Sequence, residues 1–385
     1  MSKPIHNPPG PSPTKGFTLV ELMIAMALSL LLFALAFTLV QQLYNTIDVV
    51  GSTSDVNENL RAAMNMVSRD LTTAGENIPL GGIPVPYGGT ATAINRPGPG
   101  SLTFPATGYI PVITPGNALG PSQGSGSNAI STDIVTIIGV NQTSSFNQTT
   151  VDAASPNLPT FSSSSATITV SATAAGYVQP GQLIMLTNAN GSCLLAVSSA
   201  NTTSGVITFK NGDTTNDLLG VNQFPTLSSK GVITSGPTSG TILQLETATT
   251  SNGTTTYTWP TTLTAYPISM VTYYLVTSTT SPQQNLTKLV TMGANSCASP
   301  SCTQVAALGI NVMTVSYSLS TSTTPTRNPS SPNSIRKAVL TMIGETDHQN
   351  RANTKWYSQS MTNALTVQNL DYYNKYSLGA SMTQN

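Results

Sequence analysis

The first strong pattern along the chain is a run of apolar residues from Phe17 to Val40, in which Glu21 is the only charged residue. About 20 such residues span the ~30 Å hydrocarbon core of a bilayer, so the pattern predicts a transmembrane helix over residues 17–43. Lys3 and Lys15 precede the run without an acidic residue, which predicts that the leader stays in the cytoplasm. We therefore expect a single pass through the inner (cytoplasmic) membrane, with the rest of the chain on its far side.

The helical pattern continues beyond this span, over residues 44–75. Apolar residues recur there at the three- and four-residue spacing of an amphipathic helix, at Val56, Leu60, Met64, Val67 and Leu71. Gly75 predicts a stop at the C-terminal end, and residues 51–54 predict a point where the helix loosens or bends. A continuous helix over residues 17–74 would be about 85 Å long at ~1.5 Å per residue.

From residue 76 onward the pattern changes to that of a β-rich unit. Gly and Pro fill residues 76–130, which predicts a long surface loop with one short strand. Apolar or alternating runs then predict strands at Ile134–Val140, Ala166–Ala172, Gln182–Thr187, Leu194–Ser198, Val206–Lys210, Ile242–Glu246, Ile268–Val276, Leu286–Met292, Val312–Leu319, Ile335–Ile343 and Ala364–Val367. Two low-complexity stretches, Thr143–Ser165 and Ser320–Ser334, are predicted to be loops within one folded unit. The expected fold class is α+β, a long N-terminal helix packed on a large antiparallel β-rich head over residues 76–385.

Composition narrows the possible functions. Charged residues make up only 7% of the chain, and 14 basic residues balance 14 acidic ones. Nucleic-acid binders carry a basic face that this chain lacks, so we expect no nucleic-acid partner. The only histidines are His6 and His348, too few for a histidine metal site or a catalytic triad. We expect no catalytic residue, no metal and no cofactor.

The three cysteines are predicted to be structural. Cys297 and Cys302 lie five residues apart, and outside the cytoplasm we expect them to form a disulfide that closes a short turn. Cys193 is left over, and we expect it to be buried as a small apolar residue.

Three other segments can each be interpreted as a functional site or as an ordinary surface segment. Residues 211–217 contain Asp and Asn oxygens but lack the acid spacing of an EF-hand, so a polar turn is predicted rather than a calcium site. His348 beside Asp347 is expected to lie in a surface loop, since no nucleophile motif accompanies the pair. The aromatic C-terminal segment is either a contact patch or a disordered end, and contains Tyr372, Tyr373, Lys375 and Tyr376.

The contiguous string from Lys15 to Ile24, KGFTLVELMI, resembles the class III signal sequence of type IV prepilins. The resemblance implies cleavage between Gly16 and Phe17 by a prepilin peptidase, followed by methylation of the new amino group of Phe17. The chemistry is sensible, because a glycine lets a protease approach the backbone closely. The amine of Phe17 and the carboxylate of Glu21 would then seek each other in an apolar helix bundle, since unpaired charges there are costly.

Residues 59–63 and 69–75 further resemble the W-type (PilW) minor pilins. This resemblance implies a minor pilin that takes part in the initiation and assembly of the type IV pilus. Its partners would be other pilins, contacted through the N-terminal helix, together with prepilin peptidase and the inner membrane. Two alternatives stay open from the sequence: a type II secretion pseudopilin, and a surface adhesin that uses the helix as an anchor. An enzyme is the weakest alternative.

Overall fold

A computed structural model describes most of the chain, including the whole of the long N-terminal helix. The described residues are 16–79, 81–84, 94–100, 102–105, 109–123, 129–141, 144–146, 148–152, 157, 159–161, 164–223, 245, 247–252, 254–258, 262–277, 284–291, 303–349 and 355–372. The order of elements is one long helix followed by a large antiparallel β-rich region, which confirms the predicted α+β class.

Helix α1 (Leu19–Thr72) is continuous over 54 residues, about 81 Å at ~1.5 Å per residue. It passes through Gly51 without a break, so the predicted loosening at residues 51–54 is wrong; Ser52 donates a hydrogen bond to the carbonyl of Asp48 inside the helix. Buried residues of α1 lie only in its second half: the predicted stripe of Val56, Leu60, Met64, Val67 and Leu71, together with Ala63 and Ser68.

The end of α1 is fixed by contacts with the head. Gly75 has a φ of +76°, and a Cβ there would lie 2.8 Å from a methyl group of Val112, so the turn requires glycine. The amide of Gly75 donates to the carbonyl of Ile138 at 3.0 Å, and the side chain of Asn369 donates to the carbonyl of Ala74 at 3.0 Å. These bonds tie the turn that follows α1 to the head.

The described part of the head contains 22 strands and two short helices. The first strands are β1 (Ile83–Pro84), β2 (Tyr109–Ile110), β3 (Ile113–Thr114), β4 (Ser122–Gln123), β5 (Ile130–Ser131), β6 (Val135–Val140), β7 (Thr149–Val151), β8 (Thr160–Phe161) and β9 (Ser165–Thr169). After helix α2 (Ala172–Ala175) come β10 (Leu183–Asn188), β11 (Gly191–Ala196), β12 (Ser199–Ala200), β13 (Val206–Lys210), β14 (Thr247–Ser251), β15 (Thr254–Thr258), β16 (Leu263–Thr277) and β17 (Gln284–Thr291). The last are β18 (Thr303–Ala307), β19 (Ile310–Leu319), β20 (Ser322–Thr326), β21 (Ile335–Glu345), β22 (Ser358–Thr366) and helix α3 (Gln368–Tyr372).

Three antiparallel sheets contain sixteen of these strands, and the other six form the two-stranded pairs β1-β2, β4-β5 and β14-β15. The largest has eight strands, in the order β11-β10-β16-β17-β18, with β6 and β7 also paired to the 15-residue β16 and β3 paired to β6. A four-stranded sheet has the order β20-β19-β21-β22, and its strands β21 and β22 lie against α1. A second four-stranded sheet has the order β12-β13-β9-β8.

The head has two main hydrophobic cores that share strand β10. Leu183 and Met185 face the core that contains the buried stripe of α1, whereas Ile184 and Leu186 face a second core with Phe209. Successive residues of a strand point to opposite faces, so a strand buried on both faces is apolar throughout. This explains the unbroken apolar run in β10.

A buried arginine, Arg96, anchors residues 94–100 to the head. Arg96 is 5% exposed and donates to the carbonyls of Thr114, Pro115 and Ile134 at 2.8–3.0 Å and to the hydroxyl of Thr136 at 2.6 Å. Burial lowers the pKa of this guanidinium to about 10, so it keeps its charge at neutral pH. The side chain of Arg96 thus ties residues 94–100 to β3 and to the start of β6.

The predicted strands lie at the positions of strands in the structure more often than they match them in length. Residues 76–130, predicted to hold one strand, contain five two-residue strands, and the low-complexity stretches contain β7, β8 and β20. The strand predicted at Ala166–Ala172 ends at Thr169, because Ser171 caps α2 with a hydrogen bond from the amide of Ala174. The predicted strand Ile242–Glu246 lies outside the described residues, apart from Leu245.

Candidate functional site

The bond predicted for cleavage lies at the free N-terminal end of α1. Gly16 has no neighbouring heavy atom within 4 Å of the place where a Cβ would stand, and Phe17 is 88% exposed. Thr18 is extended, and the helix begins only at Leu19. The bond between Gly16 and Phe17 is therefore in accessible, non-helical backbone. Lys15, the other predicted cleavage residue, lies outside the described residues.

Thr18 and Glu21 form a capping box at the start of α1. The hydroxyl of Thr18 accepts from the amide of Glu21 at 3.3 Å, while Oε2 of Glu21 accepts from both the amide and the hydroxyl of Thr18 at 3.0 Å. Such a pair satisfies two backbone donors that the first helical turn leaves open. All the atoms come from Thr18 and Glu21, so cleavage before Phe17 would leave the box intact.

Residues 19–50 of α1, here called the stem, expose their apolar side chains. From Leu19 to Ile47, the large apolar residues range in exposure from 46% at Val40 to 75% at Leu19, and the most apolar 18-residue window has no buried residue. Of the helices in the described part of the chain, α1 alone is long and apolar enough to cross a membrane. So large an exposed apolar surface marks a contact with lipid or with other protein.

The head contacts the stem at Asp48. Nε2 of His348, in the connection between β21 and β22, lies 3.3 Å from Oδ1 of Asp48, and its Nδ1 lies 2.5 Å from Oδ1 of Asp347. The hydrogen bond to Asp347 is the main cause that raises the pKa of His348, and Asp48 adds to it. The predicted surface pair is thus a polar tie between the head and the helix, 46% exposed at the histidine.

The polar segment of residues 211–217 folds as a hydrogen-bonded turn. Oδ1 of Asp213 accepts from the amides of Thr215 and Asn216 at 3.0 Å. The carboxylate of Asp217 accepts from three later backbone amides, those of Gly220, Val221 and Asn222. Across the described residues, no group of three or more His, Cys, Asp or Glu side chains is placed to hold a metal ion.

The remaining predicted residues divide between the core and undescribed segments. Cys193 is fully buried in the second core, and burial raises the pKa of its thiol. Cys297 and Cys302 lie outside the described residues, so their disulfide stays a prediction. Tyr372 ends α3, whereas Tyr373, Lys375 and Tyr376 also lie outside the described residues.

The role of Thr18 as a helix cap is absent from the sequence-based site prediction. A signal for it exists in the sequence, because a threonine followed three residues later by a glutamate is the pattern of a capping box. Thr18 and Glu21 have this spacing immediately before the apolar run. The tie between Asp48 and His348 has no such signal, since 300 residues separate them.

Comparison with known protein families agrees with the geometry of the N-terminus. Residues 12–37 match the family model of the prokaryotic N-terminal methylation motif, which covers the predicted cleavage bond and Glu21. The match indicates a type IV pilin-like precursor that is processed at its N-terminus. No curated protein and no solved structure matches the chain significantly.

Proposed function

We propose that this pilin-like chain is a minor pilin of the W type, which takes part in the initiation and assembly of a type IV pilus. Prepilin peptidase would cut the precursor after Gly16 and methylate the amino group of Phe17. The stem would hold the subunit in the inner membrane, with the head on the far side, until the subunit enters the pilus.

The observation that carries the proposal is the exposed apolar stem, in which Glu21 is the only charged residue between residues 19 and 47. Burying apolar surface stabilises association by ~25 cal/mol per Å², so parallel stems have a strong tendency to pack together. Inside such a bundle, an unpaired carboxylate is costly. Glu21 of one subunit would therefore pair with the Phe17 amine of a neighbour, and this pairing would set the axial register between subunits.

The size of the head supports a minor subunit over the repeating one. Residues 76–385 form a head of about 300 residues, and a filament with many closely spaced copies favours a compact head. The proposed role is structural, with the other pilins and prepilin peptidase as partners.

The experiment that tests the proposal is mass spectrometry of the mature N-terminus in cells with and without prepilin peptidase. We expect the chain to start at N-methylated Phe17, and to keep its leader when the peptidase is absent. A chain that still begins at Met1, or that is cut beyond Val40, would contradict the assembly mechanism.

A deletion strain distinguishes the pilus from the closest alternative, a type II secretion pseudopilin with the same leader, acid and helix. We expect loss of surface pili with normal secretion of exoproteins. Normal pili with blocked secretion would assign the chain to the secretion system instead.

A further inference from the structure

Strand β22 forms one edge of the four-stranded sheet beside α1. It pairs with β21 along its whole length, from Glu345↔Ser358 to Lys337↔Thr366, without a shift in register. Among the described strands, none pairs with its other side. An open edge of nine residues is long for a natural sheet, because free edges are templates for pairing with other chains.

The hydrogen bonds at both ends of β22 show which backbone groups are free. The amide of Thr346 donates to the carbonyl of Tyr357, and the amide of Val367 donates to the carbonyl of Arg336. In an antiparallel pair, hydrogen-bonded residues alternate with non-bonded ones. The backbone N–H and C=O groups of the odd-numbered residues therefore point toward β21. Those of the even-numbered residues point outward, five N–H and five C=O groups in all. The five residues that carry them are exposed: Ser358, Ser360, Thr362, Ala364 and Thr366.

The edge also lacks the features that protect free strands. Residues 358–366 contain no charged residue, proline or glycine. The opposite edge of the same sheet, β20, is different: it has five residues, contains Pro325 and pairs with β19 through an irregular register. Proline, short length and irregular pairing are the usual means of blocking strand addition. Within the described part of the chain, one edge of this sheet thus has these protective features and the other does not.

The edge runs in the same direction as α1. His348 lies near Asp48 before β22 begins, Asn363 donates to the hydroxyl of Ser68 at 3.2 Å, and Asn369 donates to the carbonyl of Ala74. Stems that share one membrane are parallel. An antiparallel two-fold pairing of β22 with a second β22 would instead make the two stems antiparallel, which excludes it for subunits in one membrane.

We infer that β22 docks an extended, uncharged and proline-free segment from the head of a different pilin-like subunit, which adds to the sheet as a fifth strand. The inference rests on the proposed function, because parallel stems bring neighbouring heads side by side along β22. Antiparallel pairing is the more stable arrangement, so the incoming strand would run opposite to its own stem. In a second copy of this chain, the opposite edge of the same sheet, β20, has that direction but contains Pro325.

A photo-cross-linking amino acid at position 362 of the full chain, expressed in its own cells, tests this docking. Thr362 is exposed, and its backbone faces outward. We expect a cross-link to an uncharged segment in the head of another subunit that carries an N-terminal methylation motif. The matched control places the same amino acid at exposed Thr324 in β20, where we expect no such product.

The substitution Ala364→Pro tests the backbone pairing itself. It removes an outward N–H that bonds to no described residue and leaves the pairing with β21 in place, so edge strands tolerate it. We expect roughly a tenfold loss of the cross-link at 362, whereas Ala364→Thr should retain it. An equal cross-link in both variants would show contact without strand addition and would overturn the inference.

Other outcomes separate this inference from the proposed function. If the protein starts at Phe17 and enters pili but gives no cross-link at 362, docking at β22 is wrong and the proposed function stands. A cross-link to a second copy, or to residues 373–385 of the same chain, would also overturn it. A chain that is never cut after Gly16 would contradict both.

Discussion

The hydroxyl of Tyr273, in the longest strand of the head, donates a hydrogen bond of 2.6 Å to the carboxylate of Asp70 in the last turns of α1. Tyr273 is fully buried, and only 16% of the Asp70 side chain is exposed. Burial and the neighbouring carboxylate raise the pKa of Tyr273, so the phenol stays protonated as a donor. This bond joins the centre of the eight-stranded sheet to the helix that would carry the subunit into a filament.

Removal of this hydroxyl should weaken the attachment of the head to α1. A hydrogen bond to a charged group contributes about 1.5–3 kcal/mol, so Tyr273→Phe should lower the free energy of unfolding by about 2 kcal/mol. Denaturant unfolding of the full chain in detergent measures this. In a double-mutant cycle, Asp70→Asn should cost less on the Tyr273→Phe background than alone. Additive effects would mean that the two residues act independently.

Asp133 and Arg327 tie the end of β20 to the segment just before β6. The Asp133 side chain is 4% exposed and receives hydrogen bonds of 2.8 Å from the amides of Ala118 and Val315. Arg327 donates to both carboxylate oxygens, at 3.1 and 2.5 Å. The carboxylate thus links three segments that are distant in sequence.

Removing the charge of Asp133 should lower the free energy of unfolding more than replacing Arg327 with lysine, which keeps the charge but not the guanidinium. Asp133→Ala leaves the amides of Ala118 and Val315 without their acceptor and Arg327 without its partner, so we expect a cost of about 3 kcal/mol. Arg327→Lys keeps the charge but loses the two-pronged contact, so about 1 kcal/mol is expected. Thermal and denaturant unfolding of the two variants in detergent gives the comparison. Equal costs would contradict an ionic role.

The tie between His348 and Asp48 should weaken as the pH rises. The pKa of His348 is raised above its ordinary 6.5, so the contact contributes fully below that value and is lost as the pH passes the raised pKa. The mature chain would contain only this histidine, so its exchange at the ring carbon, followed by mass spectrometry, gives the pKa directly. We expect Asp347→Asn to lower that pKa most and Asp48→Asn to lower it less. No change in either variant would contradict the tie.

The cysteines should differ sharply in reactivity. Cys193 is fully buried with a raised pKa, so a thiol reagent should label it only after unfolding. If Cys297 and Cys302 form the predicted disulfide, the unfolded, unreduced chain should have one reactive thiol and the reduced chain three. Cys193→Ala should have none before reduction. Three reactive thiols without reduction would show that the disulfide is wrong.

The elements that the sequence predicts well are those that local pattern determines. The apolar stripe from Val56 to Leu71 faces the core as predicted, because helical spacing alone places these residues on one face. The strand predicted at Ile335–Ile343 is extended by only two residues in β21. The period of the apolar residues and the turn residues at each end are sufficient to predict such elements.

The elements that the sequence does not predict depend on distant partners. The short strands in residues 76–130 have little pattern of their own: β3 pairs with β6, whereas β1 pairs with β2 and β4 with β5. Arg96 is buried because carbonyls of β3 and its surroundings accept from it, a role that no local motif indicates. Predicting the open edge of β22 likewise requires the order of strands in the sheet, which the alternation of residues along one strand does not reveal.

The capping box allows the charge of Glu21 to be tested apart from its role in the helix. Glu21→Gln keeps a side-chain oxygen that can accept from Thr18 but removes the charge that would pair with the Phe17 amine of a neighbour. We expect this variant to be cut after Gly16 and to stay in the membrane, yet to be largely absent from pili. Thr18→Val is the matched control, because it loses about 1 kcal/mol of helix capping but keeps the acid. If Glu21→Gln entered pili normally while Thr18→Val did not, helix capping rather than charge would be the function of Glu21, and the proposed pairing between subunits would be wrong.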